Sequence, residues 1–377
     1  MIKATLASAT LLVLSTTVLS AQQVTSGAVR LRLSGRVQAQ FNTTSVDEDE
    51  LRAFGLNPAP VPTTTFEIRR ARLGAEVEYS DLISGKAELD FAMGRIQMRD
   101  VYVNFDFDEK LRLRVGQMKR PFSLLSLTSS TRYPVIERGV RIRGLPDALR
   151  LQDTANVLGR FGSRLIGEEQ FLLDAFEYTN FDIGAMLHGE AGPFGYSLGV
   201  FNGTGSDSLA NTGTNSVAGR VTVQPWKQRP LVFGGAVSTR EVRLADSLEI
   251  ETRYGAAWEA DLEYGEFRRP GFHVLAELSG GRNLATDDDS FLAAQGIVAY
   301  FRPVEHKTFE GWELAGRASY GDARTDIDAD AGLLLTPGFN IYFTGRNRLM
   351  FNWDVFIPQG NNFETQSAFR AQAQVVF

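Results

Sequence analysis

Apolar and polar residues alternate one for one along most of this chain, and the polar positions are charged in segment after segment. Within Phe66–Tyr79, Ala71, Leu73, Ala75, Val77 and Tyr79 alternate with Arg70, Arg72, Gly74, Glu76 and Glu78. Within Trp312–Tyr320, Trp312, Leu314, Gly316, Ala318 and Tyr320 alternate with Glu313, Ala315, Arg317 and Ser319. Within Leu349–Ile357, Leu349, Phe351, Trp353, Val355 and Ile357 alternate with Met350, Asn352, Asp354 and Phe356. Successive strand residues face opposite sides, so each segment has one apolar and one largely polar wall. A charged wall calls for water, because burying unpaired charge is costly. A strand barrel in a membrane satisfies both walls, with lipid outside and water within.

The periodicity predicts sixteen strands: 29–42, 66–79, 84–93, 97–108, 110–118, 181–190, 194–203, 214–224, 231–240, 251–265, 271–282, 290–302, 311–322, 332–344, 348–357 and 366–377. Their connections alternate between mostly long, polar segments and mostly short turns, the layout of an outer-membrane barrel. The mean hydropathy of −0.14 averages over the two walls and hides the apolar one. Aromatics crowd the strand ends, as interfacial girdles require: Phe105, Phe107, Tyr178, Phe181, Phe194, Tyr196, Tyr300, Phe301, Phe351, Trp353 and Phe356. A soluble sandwich or solenoid would also alternate, but no repeat of 20–50 residues is present. The fold class expected is all-β, a transmembrane antiparallel β-barrel of about 16 strands.

The two ends agree with that class. Residues 1–21 carry Lys3, an apolar core from Leu6 to Leu19, and small residues at Ser20 and Ala21, the pattern of a cleaved export signal. This leaves 22–377 for the barrel. That remainder has no run of 18 apolar residues, so a span by helices is not expected. The chain has no cysteine, which excludes a lipid-attached lipoprotein and any disulfide framework. The last segment alternates Phe369, Ala371, Ala373, Val375 and Phe377 with Arg370, Gln372 and Gln374. A terminal strand ending on Phe377 resembles the assembly signal of outer-membrane barrels. The location expected is the outer membrane of a diderm bacterium.

Charge is distributed unevenly. The chain as a whole has a formal net charge of −6. From Arg112 to Arg164, 11 Lys+Arg stand against 3 Asp+Glu, a net of +8. The island starts on a strand, with Leu111, Leu113 and Val115 on one face and Arg112 and Arg114 on the other, and runs into the connection 119–180. With the apolar side outward, those arginines point inward. A pore selects by its width and by the sign of the charge that lines it. A guanidinium fork can hold two oxygens of an oxyanion, while an ammonium acts as a point charge. Candidates for an anion pathway are Arg70, Arg72, Arg112 and Arg114 on strands, and Lys119, Arg120, Arg132, Arg138, Arg141, Arg143 and Arg150 in the connection. Each could instead be a solvated lumen residue paired with an acid, and Glu76, Glu78, Glu88 and Asp90 are available.

Several stretches, in order and spacing, resemble a known family. They are Arg69-Arg70-Ala71-Arg72-Leu73-Gly74, Lys86-Ala87-Glu88-Leu89-Asp90-Phe91-Ala92, Asp100-Val101-Tyr102-Val103 and Arg114-Val115-Gly116-Gln117-Met118-Lys119-Arg120-Pro121-Phe122-Ser123-Leu124. Leu127–Ser130, Ile136–Arg138, Asp182–Gly189 and Tyr196–Gly203 continue the series. Together they resemble the phosphate-selective porin O/P family over about 69–203. The resemblance implies a sixteen-strand barrel, often a homotrimer, with its third long loop folded into the lumen. The connection 119–180 is third in order and would be that constriction loop, with 146–181 reading as an insertion. Lys119 stands where the family pattern has a lysine before Pro-Phe, while Arg120 and Leu125 replace acidic residues often seen there. The function implied is passive, anion-preferring diffusion of small solutes, phosphate or other oxyanions, with no enzyme activity. A general or carbohydrate-type porin is the alternative, and a barrel enzyme a further one. Expected partners are outer-membrane lipid and lipopolysaccharide, with the barrel-assembly machinery engaged through the C-terminal strand.

Other chemistry finds little support. The three histidines, His188, His273 and His306, do not stand beside a serine in a nucleophile motif. Asp326-Ile327-Asp328-Ala329-Asp330 opens like a calcium loop, but Ala331 replaces the sixth-position glycine and Pro337 the bidentate glutamate. Asn202-Gly203 is a turn pair without the lysine of a phosphate-cradling loop. No metal, cofactor or nucleic acid is expected.

Overall fold

The computed structural model describes residues 23–26, 29–44, 64–94, 96–138, 176, 178–203, 215–245, 250–284, 289–322, 324–326, 331–359 and 365–377. The proposed signal, most of the insertion, Arg141, Arg143, Arg150 and most of the Asp326–Asp330 motif lie outside the described residues.

Seventeen strands are present among them: β1 (Gln23–Ser26), β2 (Val29–Thr44), β3 (Thr64–Glu78), β4 (Ile83–Asp90), β5 (Gln97–Asp108), β6 (Leu111–Lys119), β7 (Phe181–Ala191), β8 (Phe194–Phe201), β9 (Ser216–Val223), β10 (Leu231–Ala245), β11 (Ile250–Tyr264), β12 (Gly271–Arg282), β13 (Ser290–Pro303), β14 (Gly311–Asp322), β15 (Ala331–Tyr342), β16 (Arg348–Pro358) and β17 (Gln366–Val376). From β2 onward each strand pairs antiparallel with the next, and β17 returns to β2 from Ala368↔Thr44 to Val376↔Arg36. The result is a closed sixteen-strand barrel, in agreement with the periodicity. The clearest departures are β10, which runs on to Ala245, and β4, which stops at Asp90.

The short β1 was not anticipated. It pairs with the start of β2, Gln23↔Arg32 to Ser26↔Val29, on the side that β17 leaves free below Arg36. Closure removes the free edges that an open sheet would offer to other chains.

The two faces of the wall are inverted relative to a soluble protein. Leu33, Leu73, Val115, Leu198, Val237, Val298, Leu314, Trp353 and Val375 are exposed apolar residues on the outer face. Gln40, Glu277, Gln295, Ser319, Asn340, Asn352 and Gln372, of opposite parity, are buried. This is the expected arrangement of a lipid-facing exterior. Among the described residues no helix is long and apolar enough to cross a membrane. Phe107, Phe194 and Trp353 remain on the outside as expected. Four of the aromatics assigned to girdles do not: Tyr178, Phe181, Phe301 and Phe356 are buried. Phe301 and Phe356 sit at inward positions, Phe301 against Tyr342 at a ring separation of 5.4 Å. Tyr178 packs on Phe122 and Phe291.

Candidate pore lining

The third long connection leaves β6 and turns at once. Ser123 adopts a positive φ of 67° and its hydroxyl accepts the Ser126 N–H at 3.0 Å, capping one helical turn, α1 (Leu124–Leu127). Thr128 Oγ1 donates to the Leu124 carbonyl at 2.8 Å and ends it. The segment then continues to Arg138 against inward-facing residues of distant strands. Leu125, Tyr133 and Val135 pack on Leu275, Ile297, Ala299 and Ala315 of β12–β14. Each fully buried apolar side chain of this size contributes about 1.5–3 kcal/mol. Polar contacts extend the attachment. The Leu125 N–H donates to Glu277 Oε2 at 2.9 Å and the Ile136 N–H to Asn352 Oδ1 at 2.6 Å. Asn340 Nδ2 donates to the Pro134 carbonyl at 2.8 Å, Arg348 to that of Tyr133 at 2.8 Å and Arg317 to that of Glu137 at 2.9 Å.

The candidate cations differ in burial and pairing. Arg120 is buried and forms a two-point contact with Asp182, Nη2 at 2.6 Å and Nε at 3.0 Å from Oδ2. The residue is only 2 % exposed. Arg72 and Arg112 are ion-paired: Arg72 with Asp90 at 2.7 Å and Glu88 at 3.0 Å, Arg112 with Asp106 at 3.3 Å. Arg70 is buried, donating to Gln38 at 2.9 Å and lying 4.0 Å from Glu137. The acids expected as partners are therefore used, with Glu76 and Glu78 engaging Arg32 and Arg30.

In the connection, the Lys119 ammonium donates to the Ser126 carbonyl and lies 5.6 Å from the centre of the Phe181 ring. Arg138 donates to the carbonyls of Leu125 and Thr128 and stacks on Tyr133. Arg132 is exposed. Arg114 stands apart from the paired strand arginines. Its Nε donates to Asn104 Oδ1 at 3.1 Å and its Cζ lies 4.1 Å from the centre of the Tyr102 ring. It makes no ion pair with a carboxylate among the described residues.

One important cation, Arg69, escaped the alternation argument. β2 pairs Gln38 with Arg70 and then Ala39 with Ile68, so Arg69 is the extra residue of a β-bulge. A bulge re-aims a side chain. Here both Arg69 and Arg70 reach Glu137 in the connection, Arg69 through Nε at 2.8 Å and Nη2 at 3.1 Å. Two adjacent arginines interrupting an alternating segment were the available signal. The histidines serve structural contacts: His188 with Asn104, His273 with Glu263 and His306 stacked on Phe309. Phe377 closes the barrel seam beside Gly35.

Water-accessible charge is concentrated on one side. Side chains on β4–β6 keep appreciable exposure, 23 % for Lys86 and 34 % for Arg112. The inward residues Leu275, Ile297 and Asn340, opposite the connection, have none. Such a wall can attract, orient and release solutes; charge spread over several weak sites allows passage rather than capture.

A family model described as phosphate-selective porin O and P matches residues 29–267. The chain belongs to the phosphate-selective porin O and P family. It is thus an outer-membrane porin, a passive channel rather than an enzyme. No curated protein sequence matches it. Among solved structures, this porin is similar in fold to an anion-selective porin from Comamonas acidovorans, with 12 % identity and a TM-score of 0.58, covering 93 % of this chain and 100 % of that one. It is also similar to the outer-membrane channel DcaP of Acinetobacter baumannii, with 12 % identity and a TM-score of 0.57, covering 93 % and 99 %. A trimer form of OmpT from Vibrio cholerae matches with 11 % identity and a TM-score of 0.54, covering 93 % and 100 %.

Proposed function

We propose that this porin passes small anions in preference to cations, phosphate and other oxyanions among them, through a passage along β4–β8. The observation that carries this reading is the imbalance of pairing on the accessible wall. Glu88, Asp90, Asp100 and Asp106 each hold a cation. Asp108 caps the turn after β5 through the Lys110 and Leu111 N–H groups. Arg114 holds no carboxylate. Paired charges cancel at the distance of a hydrated ion, so at the level of Arg114 the unpaired guanidinium sets the sign of the local field, while Glu190, also unpaired among the described residues, lies at the turn end of β7.

In this reading the third connection is the constriction loop, fixed against β12–β16, and Lys119, Arg132 and Arg138 add positive charge along its course. Family membership and the neighbour described as an anion-selective porin support it. The trimer form of the OmpT neighbour supports a homotrimer. Residues 1–21 would act as the export signal, Phe377 as the end read by the assembly machinery, and the lipid-facing band would meet lipid and lipopolysaccharide.

The test is the reversal potential of the purified channel in a planar bilayer under a KCl gradient. Chloride preference is expected, and Lys119→Glu should reduce it. A cation-preferring channel would overturn the reading. Saturation of the chloride current as phosphate is added is the result expected if oxyanions bind.

A further inference from the structure

We propose that Arg114, Tyr102, Asn104 and His188 form a solute-binding subsite for an oxyanion group, a carboxylate or a phosphate, on the barrel wall of β5–β7 rather than on the loop. The inference rests on the anion-preferring reading above.

The geometry is that of a held guanidinium with a free edge. Tyr102 lies beneath it at 4.1 Å, close enough for a cation–π contact that fixes its plane. Its Nε is committed to Asn104 Oδ1. Asn104 is itself oriented from behind, because its Nδ2 donates to Asp106 Oδ1 at 2.7 Å, and Asp106 is anchored by Arg112. The same Asn104 oxygen lies 3.2 Å from His188 Nε2, so that nitrogen carries a hydrogen. Neither Arg114 Nη1 nor Nη2 has a hydrogen-bond partner among the described residues. That edge presents parallel N–H donors, the arrangement that takes two oxygens of a carboxylate or phosphate.

The next inward position carries no side chain. Gly116 follows Arg114 as the next inward position of β6, with a φ of 132°. A Cβ there would come within 2.4 Å of the Val101 carbonyl oxygen and 2.7 Å of Tyr102 Cα. Any side chain at 116 would press on the strand that carries the Tyr102 platform. Nearby inward arginines lack this property. Arg36 and Arg72 spend their forks on Glu88 and Asp90, and the charge of Arg112 is paired with Asp106 through Nε. Arg114 thus combines fixed orientation with unused donors.

The experiment measures chloride conductance of the intact channel in planar bilayers, titrated separately with inorganic phosphate and with acetate. Wild type should show saturable reduction of chloride current by phosphate, acetate or both; which one acts identifies the group. Arg114→Gln should weaken the apparent affinity about fivefold, the factor that one unit charge contributes at about 4 Å in water. Tyr102→Phe should keep the response and Tyr102→Leu should lose most of it, since only the ring is needed for stacking. Heat-dependent gel mobility identifies variants that fold. If Arg114→Gln does not fold, the Tyr102 pair decides alone. An anion-preferring wild type whose titrations are unchanged by Arg114→Gln, or by Tyr102→Leu, overturns the subsite and leaves the general reading intact. A cation-preferring wild type overturns both.

Discussion

Gly35 and Phe377 exchange a pair of backbone hydrogen bonds, the Gly35 N–H donating to the Phe377 carbonyl oxygen at 2.8 Å and the Phe377 N–H returning to the Gly35 carbonyl at 3.0 Å. The Phe377 ring covers the glycine: a Cβ at position 35 would lie 2.4 Å from its Cζ. The glycine thus provides the seat for the terminal aromatic.

Gly35→Val is therefore expected to displace the ring and destabilise the closed barrel by about 1–3 kcal/mol, the usual cost of overpacking. Urea unfolding followed by loss of heat-modifiable gel mobility measures it. Adding Phe377→Ala should restore part of the loss, since it removes the clashing ring. A Gly35→Val midpoint equal to wild type would mean that the ring moves aside at no cost.

The Arg120–Asp182 pair makes a different demand. Asp182 also accepts the Gly203 N–H at 3.0 Å, so it ties β6, β7 and the start of the next long connection together. Asp182→Ala takes the carboxylate away from a buried guanidinium, and about 3–5 kcal/mol of stability should be lost. The double replacement Arg120→Met, Asp182→Leu should recover part of it. Its ion preference should equal wild type if the buried Arg120 stays out of the ion path. A changed reversal potential in a folded double variant would return Arg120 to the pathway.

Glu137 neutralises Arg69 and also accepts from Gln40 Nε2 at 3.1 Å. Glu137→Gln removes one negative charge and loosens the far end of the described loop segment. The anion-to-cation permeability ratio should rise, by up to about fivefold for a unit charge at about 4 Å in water. Open-channel current noise should rise with it. No change in the ratio would mean that the Arg69 side of the barrel lies away from the ion path.

Sixteen strands were legible because period two is a local property that survives without knowledge of partners. The bulge at Arg69 was not, since a bulge is defined by the neighbouring strand: it exists only where Gln38 meets Arg70 and Ala39 meets Ile68. The inward aromatics Phe301 and Phe356 were misread for a related reason. Aromatic residues near strand ends look alike in sequence whether they meet lipid or fill the interior. For Phe301 the deciding contact, Tyr342, is 41 residues away. Pairing was hidden in the same way. The acids available to Arg70 and Arg72 could be named, but only register assigns Glu88 and Asp90 to Arg72 and leaves Arg114 without one.

The apolar anchoring of the loop on Leu275, Ile297, Ala299 and Ala315 has a further consequence. It gives the two halves of one cylinder different tolerances to mutation. Around β12–β16 the interior is packed as tightly as that of a water-soluble domain, and a substitution there is felt as a cavity or a clash. On β4–β6 the inward side chains of Lys86 and Arg112 keep exposure, and in the proposed passage a change in their size or charge would alter what passes at little cost to folding. A lineage carrying this scaffold can retune its solute range on one half-cylinder while the other half keeps the molecule intact.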